Sequence, residues 1–301
     1  MMKYCAAVFI FALCTACAFT AETELKVMSF NIWVGGGDSV QKTFDVIKQT
    51  GADIVGIQEP SKANVNNAEK FAEDLGWFSH THIDLRERNN TIISRYPIVG
   101  TSPEKIGVKI QISGKQFVWM FNVHLHHSPY EPYSLNGIQY GGAPLLNTAE
   151  QALESAWKTR GKEVERTLAD IIAVQKDGYP VFLTGDFNEP SCLDWTEKAA
   201  KAGQCRIPVR WTATAAFIDK AGMIDSYRKI YSDEAAKPGH TWTPRPGKKE
   251  VHDRIDFLFY SGGKVRLDKV QIIGEPGGKS DVGIEGYPSD HRAVLGTFTV
   301  L

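Results

Sequence analysis

Cysteine is scarce in this chain. Of five in 301 residues, Cys5, Cys14 and Cys17 crowd the N-terminus, and neither of the other two, Cys192 and Cys205, belongs to a Cys-x-x-Cys pair. That excludes a disulfide-stapled miniprotein and a zinc ribbon. An excess of charge of either sign is also lacking: 34 basic residues meet 35 acidic ones, for a net charge of −1. No overall positive field therefore recruits nucleic acid or an anionic membrane, and a polyanionic partner must be held locally. The basic pairs Arg206/Arg210, Arg228/Lys229 and Lys248/Lys249 are too dispersed to form a strip and read as solvated charges. Past the N-terminus there is no apolar run of bilayer length, no internal repeat and no long linker. With 43% hydrophobic residues, what is present suffices for one large core, and disorder is excluded.

The first residues have the layout of a secretory signal peptide: Lys3, an apolar stretch to Leu13, then small residues through Ala21. The expectation is a signal over 1–21, cleaved near 18–21, and a single exported domain over 22–301, secreted or periplasmic and monomeric. Cys17 after Thr15-Ala16 makes a lipid anchor the alternative. Removal of the signal leaves Cys192 and Cys205 in an oxidising compartment. A disulfide between them is the favoured state, worth about 3 kcal/mol for a short loop, with two free thiols as the alternative.

Short apolar runs alternate with helical patterns, which predicts one α/β domain with substantial sheets. Strands are expected over 25–33, 53–58, 90–94, 117–125, 179–184, 254–260, 265–273 and 293–300, and helices over 39–49, 64–75 and 148–174. The segment 128–144, with Tyr130, Tyr133 and Tyr140, reads as a long loop, functional or mobile.

Polar residues fall where these strands do not want them. In VMSFNIW, Met28, Phe30 and Ile32 share one face, and Asn31 arrives on the other face at the end of an apolar strand. DIVGIQE ends on Glu59 in the same way. In FNVHLHH, Phe121, Val123 and Leu125 alternate with Asn122, His124 and His126. Alternation puts His126 on the face of His124 and His127 opposite. VFLTGDFNEP ends on Asp186 and Asn188, and YPSDHRAV puts Asp290 and His291 before the last strand. Asp256, between apolar neighbours in RIDFLFY, costs several kcal/mol to bury unless a cation or donor compensates it. Polar groups at the ends of several strands are where α/β folds build sites.

The ordered set SFNIW, IQE, NVHL, GDFNEP, RIDF and SDHRAV, running from Ser29 to Val294, resembles the endonuclease/exonuclease/phosphatase superfamily, the relatives of deoxyribonuclease I. The resemblance implies a four-layer α/β sandwich, two packed mixed sheets with helices outside, and metal-dependent cleavage of phosphate esters. By position it implies metal-site roles for Asn31 and Glu59, a central role for His124, a catalytic pair in Asp186 and Asn188, a histidine-orienting role for Asp256, and a terminal pair in Asp290 and His291.

These groups suit the reaction. A phosphodiester resists water because its anionic oxygens repel nucleophiles and its leaving group is poor. Glu59, with Asn31 and Asp290, offers hard oxygen ligands that suit Mg²⁺ or Mn²⁺. His291, oriented by Asp256, can manage the proton of the attacking water, or Asp186 can position or deprotonate it instead. Asn188 and His124 would donate to the phosphoryl oxygens. Arg95 and Asp225 read as structural; His126 reads as solvated or substrate-facing, with a metal role as the alternative; and HTWTPRP, with His240, Trp242 and Arg245, reads as a border of the site or a packed turn.

The expected partner is a phosphate ester of a small or lipid-derived molecule. Relatives that cut abasic DNA carry an acidic residue where this chain has Trp33, followed by Gly35, Gly36 and Gly37. An extracellular nuclease acting on DNA or RNA is the alternative. A non-catalytic binding module would have lost part of the polar set, and none is missing.

Overall fold

The alternation in the first strand sets the layers of the molecule. In the computed structural model, which describes residues 22–245, 247 and 249–301, β1 (Thr23–Asn31) sends Met28 and Phe30 to one side and Leu25 and Val27 to the other. The expected signal peptide, Cys17 and Lys248 lie outside the described residues. The remaining strands are β2 (Ile54–Gln58), β3 (Ser61–Lys62), β4 (Val65–Asn66), β5 (Phe78–Ile83), β6 (Asn89–Ser94), β7 (Ile98–Thr101), β8 (Gly107–Ser113) and β9 (Gln116–His124). They continue with β10 (Val181–Asp186), β11 (Ile224–Asp225), β12 (Asp256–Ser261), β13 (Val265–Gly274), β14 (Val282–Gly283) and β15 (Ala293–Val300).

One sheet has the order β14-β13-β15-β1-β2-β6-β5 and the other β11-β12-β10-β9-β8-β7. Both are mixed: β1 with β2 and β9 with β10 run parallel, while β15 with β1 and β10 with β12 run antiparallel. Leu25 and Val27 meet Val108, Met120, Phe182 and Leu258 between the sheets. Met28 and Phe30 pack outward on Val46 and Ile47 of helix α2 (Val40–Thr50) and Phe71 of α3 (Asn67–Leu75), beyond the single turn α1 (Trp33–Gly36). On the opposite side, Phe121, Val123 and Leu125 pack on the far helices. The chain first makes α4 (Glu131–Leu135), then the long α5 (Ala149–Gln175), α6 (Glu197–Lys201) and α7 (Thr212–Ala221), and closes with α8 (Ser226–Ile230). Val164 and Ile171 of α5 and Phe217 of α7 cover that sheet. Helix, sheet, sheet and helix are the four layers expected.

Helix ends follow local chemistry. Thr148 and Gln151 form a capping box on α5, and Ser39 caps α2, which stops at left-handed Gly51. No helix among the described residues is long and apolar enough to cross a membrane.

Between the sheets a polar seam runs toward one end. Ser29 Oγ accepts from the Gly185 amide at 3.1 Å, Gln58 donates to Asn122 at 2.5 Å, and Thr184 donates to Asn122 at 3.1 Å. Gly56 lets the sheets approach there: a Cβ at that position would lie 2.0 Å from Thr184 Oγ1 and 2.7 Å from Asn122 Oδ1. We expect Gly56→Ala to destabilise the fold by about 1–3 kcal/mol through overpacking. Gly263→Ala, where a Cβ meets nothing within 4 Å, should leave it unchanged. Urea unfolding of the two variants checks this contrast.

Several expectations are corrected. The first strand ends at Asn31, not residue 33, because Trp33 and Val34 take left-handed φ values of 55° and 47°. β5, β7 and β8 escaped sequence reading; β5 is an edge strand whose exposed positions include Phe78 and Ile83, so no apolar alternation marks it. The segment 128–144 holds α4 and is firmly tied, since buried Arg160 of α5 donates to Glu131 at 2.8 Å and to the Pro129 carbonyl at 2.7 Å. Cys192 and Cys205 are free thiols. Cys205 packs with Trp195 and Trp211, whereas Cys192 sits beside Thr214, so the two occupy different surroundings. Arg228 is not solvated but buried on Asp194 at 2.6 Å.

Candidate active site

Parallel strands deliver their last residues to the same end of a sheet, and four of them do so here. Asn31 closes β1, Glu59 follows β2, His124 closes β9 and Asp186 closes β10. Asp256 opens antiparallel β12 directly opposite Asp186, and His124 is opposite Asp186 on its other side. The sheets then face each other at the site. Asn31 Nδ2 donates across to Asp186 Oδ2 at 2.9 Å.

Asp186 is the hub. Its Oδ1 accepts from the Asn188 amide at 2.9 Å, and Oδ2 lies 3.5 Å from His124 Nε2 and 3.7 Å from His291 Nε2. Burial raises its pKa. His291 Nδ1 meets Asp256 Oδ2 at 2.9 Å, which leaves Nε2 facing Asp186. Burial by itself would lower the His291 pKa, but the carboxylates of Asp256 and Asp186 raise it instead. His124 is held neutral, its pKa far below the ordinary histidine value, by burial and by the nearby Arg86 and Arg88. Asp290 is pushed up to about 6 by burial, with the Glu59 charge adding to the shift.

Glu59 has a left-handed φ of 54°, which turns its side chain back over the site. Its Oε2 accepts from the Val34 amide at 2.8 Å, and its Oε1 lies 3.5 Å from Asn31 Nδ2 and 3.9 Å from His124 Nε2. The Asn31 Oδ1 accepts from the Trp33 amide at 3.0 Å. Asn188, also left-handed at φ 48°, donates its side-chain amide to the Leu125 carbonyl at 3.1 Å. Asp256 Oδ1 and Asp290 Oδ1 are buried without a hydrogen-bond partner among the described residues. Asp186, Asp256 and His291 each hold a ligand-type atom within 4.8 Å of one another. Orphaned carboxylate oxygens together with Glu59 and Asp186, and no thiolate, are a donor set that fits a hard divalent cation.

The site opens into a cleft of about 350 Å³, walled on its far side by Trp33, Tyr130, Tyr133, Tyr140 and Trp242. Tyr133 stands edge-on between Tyr130 and Tyr140, with ring centroids 4.9 and 5.6 Å away. Tyr130 donates to Asp253 at 2.7 Å, Tyr133 donates to Glu250, and Arg245 stacks on Trp33 at 4.9 Å. Trp242 lies 4.8 Å from the His291 ring.

All eight residues expected at the site come together here. Arg95 pairs with Asp53, and Asp225 with Arg254, as structural ions. His240 is half-buried beside His252, away from the cleft. Simple alternation chose the wrong neighbour of His124: β9 stops at His124, so His127 lines the cleft while His126 binds the Ser128 amide through Nδ1. Sequence reasoning missed Arg86, which donates to Glu163 at 2.9 Å and to the His124 carbonyl, because nothing in its charge-rich segment marks it. It also missed Glu189, whose place after Asn188 was the available signal.

Residues 28–291 match the model of the Endonuclease/Exonuclease/phosphatase family. An uncharacterized protein of Caenorhabditis elegans is 28% identical to this chain, the alignment covering 94% of each. Among solved structures, TDP2 from C. elegans superposes with a TM-score of 0.52 at 20% identity, covering 92% of this chain and 75% of that one. The human Nocturnin catalytic domain with bound sulfate superposes at 0.55 and 16% identity, covering 92% and 95%. A protein from Bacteroides thetaiotaomicron described by the same family name gives 0.53 at 17% identity, covering 93% and 99%.

Proposed function

Because the chain belongs to the endonuclease/exonuclease/phosphatase family, we propose that it is an exported hydrolase of phosphate esters, dependent on Mg²⁺ or Mn²⁺ and acting on small or lipid-derived molecules. The observation that carries this reading is the arrangement around Asp186, where two amides and two imidazoles converge from two sheets onto one carboxylate. Groups buried at such cost are kept for chemistry.

In this reading Glu59, Asn31 and Asp290 hold the cation. When bound, it supplies Lewis acidity toward the phosphoryl oxygens and the departing oxygen. The remaining work belongs to the chain. Asp256 accepts a hydrogen bond from Nδ1–H of His291 and aims Nε2 at the cleft. The Nε2 lone pair is free once the carboxylate charge that raises the His291 pKa is countered by a bound cation. Asp186 aligns the water. Its oxygen forms the new bond to phosphorus while its proton passes to Nε2 of His291. The ester P–O bond breaks, and the departing oxygen leaves with the electron pair and is protonated by solvent. Neutral His124 and Asn188 donate to the phosphoryl oxygens as charge grows, contacts of a kind whose loss costs roughly 100-fold to 1,000-fold in rate.

The test is a phosphate-ester panel, with mono- and diesters, phospholipid headgroups and nucleic acids, run with and without divalent metal. Turnover of small esters that is lost on chelation is expected, and Glu59→Gln should cut it sharply at low metal with the fold retained. Plasmid degradation lost at moderate salt would move the choice to a nuclease; TDP2 from D. rerio has been solved with a single-stranded DNA product. Unchanged turnover by Glu59→Gln would remove Glu59 from the metal site.

A further inference from the structure

On the other side of Glu59 and His124 lies a second cleft, of about 560 Å³, that shares Val34, Glu59, His124 and His127 with the aromatic one. Its own walls are polar: Ser61, Asn64, Glu87, Arg88 and Asn89. The two clefts also share an unusual backbone. Of the eight non-glycine residues with left-handed φ among those described, seven line one or both clefts, namely Trp33, Val34, Glu59, Ala63, Asn64, Glu87 and Asn188. Strain held at so many positions around one wall is kept where a ligand is shaped.

Arg88 is the cation of the polar cleft. Arg86, two residues earlier, spends its Nε and Nη2 on Asp84, Glu163 and the His124 carbonyl. The exposed guanidinium of Arg88 has no carboxylate within ion-pair distance among the described residues. Its charge nevertheless reaches His124 and His127, whose proton affinity it lowers. Near the acidic centre of Glu59, Asp186 and Asp290, a ligand arm with a charge of its own would be repelled unless a cation stood on its side. Arg88 is that cation.

We propose that the substrate is a phosphodiester straddling Glu59 and His124. One arm, aromatic or apolar, lies against the tyrosines, and the other carries a second anionic group, a phosphate or carboxylate, held by Arg88. This rests on the hydrolytic reading above and narrows it. A monoester has one carbon substituent and fills one cleft; a diester has two that diverge from phosphorus and fills both. Water adds to phosphorus, one ester P–O bond breaks, and the products are a monoester and an alcohol. A planar guanidinium binds either anion through paired N–H donors.

The test uses three chromogenic esters with the metal-loaded full-length protein: 4-nitrophenyl phosphate, its glyceryl diester, and the same diester carrying a phosphate on the distal glyceryl oxygen. The expected order of kcat/KM is phosphorylated diester, then plain diester, then monoester. Arg88→Gln, at an exposed position, should lower kcat/KM on the phosphorylated diester by about 10–100-fold, as loss of a charged hydrogen bond does, and change the plain diester by less than about 3-fold. A carboxylate in place of the distal phosphate distinguishes the two anions. Equal losses on both diesters, no loss on either, or a preference for the monoester would overturn the proposal. Calorimetric binding of the uncleavable phosphonate analogue of the phosphorylated diester separates the two readings. Arg88-dependent binding without turnover of any ester would sink the hydrolase and keep the cleft assignment. Turnover without Arg88 dependence would do the reverse.

Discussion

Asp186→Asn will lower kcat on a phosphate ester by about 1,000-fold, while the protein unfolds at nearly the same urea concentration. The loss follows from position: Asp186 Oδ2 faces Asn31, His124 and His291 within 3.7 Å, so its charge orders every other member of the site. Stability follows from burial. An ionised carboxylate withdrawn from water is costly, and an amide of the same shape removes that cost while losing one acceptor. The two effects oppose each other, and pH separates them. Burial lifts the Asp186 carboxyl to about 7, above the unfolded value of about 3.9. Between those limits the native state keeps a proton that the unfolded state has released, so this group's contribution to stability falls as pH rises. The variant lacks that loss. Relative to the parent, Asp186→Asn should therefore gain stability between pH 4.5 and pH 7.5 in chelator, as read by urea unfolding. A variant that retained turnover, or that lost ground as pH rose, would contradict the assignment.

Arg160→Met will destabilise the fold by about 3–5 kcal/mol, the usual result of leaving a buried charge without its partner. Arg160 is fully buried between Glu131 at 2.8 Å and Glu189 at 3.8 Å. Burial pushes the Glu189 carboxyl up to about 7, against the pull of Arg160. The triple variant Arg160→Met, Glu131→Gln, Glu189→Gln should recover most of the loss, because no unpaired charge remains. The site should feel the single change as well. Glu131 lies between Tyr130 and Tyr133 on the aromatic wall, and Glu189 follows Asn188, so freeing both loosens two sides of the cleft. We expect KM to rise more than kcat falls. Urea unfolding and steady-state kinetics on the three proteins test both parts, and a mild destabilisation that the triple variant failed to reverse would refute the triad.

The export signal, the monomeric state and the assignment of individual catalytic roles remain proposals of the sequence. Its reading of faces went further. Asn31, Asn122 and His124 were legible as polar intruders on apolar strands because the side-chain period of a strand is local and survives any packing. The pattern by itself read as one α/β domain, and the family resemblance implied the four layers and the roles of Glu59, Asp186, Asp256, Asp290 and His291.

What lay outside that local rule needed the folded chain. A period of two holds only while the strand continues, so it chose His126, whereas β9 ends at His124 and the turn that follows presents His127. The closeness of Ser29 to Gly185 and of Asn31 to Asp186 joins residues about 155 apart in sequence, and no spacing predicts it. Arg86 and Arg88 look alike in the chain; only the Glu163 carboxylate brought to Arg86 by α5, together with Asp84, distinguishes a paired strut from a free cation. Two cysteines look like a pair until their neighbours are known. The sequence by itself determined which side chains leave the core and at which strand ends they do so, because those are properties of adjacent residues. The tertiary structure alone decided which of them meet and which charges are already satisfied, because distance across two packed sheets depends on every layer between them.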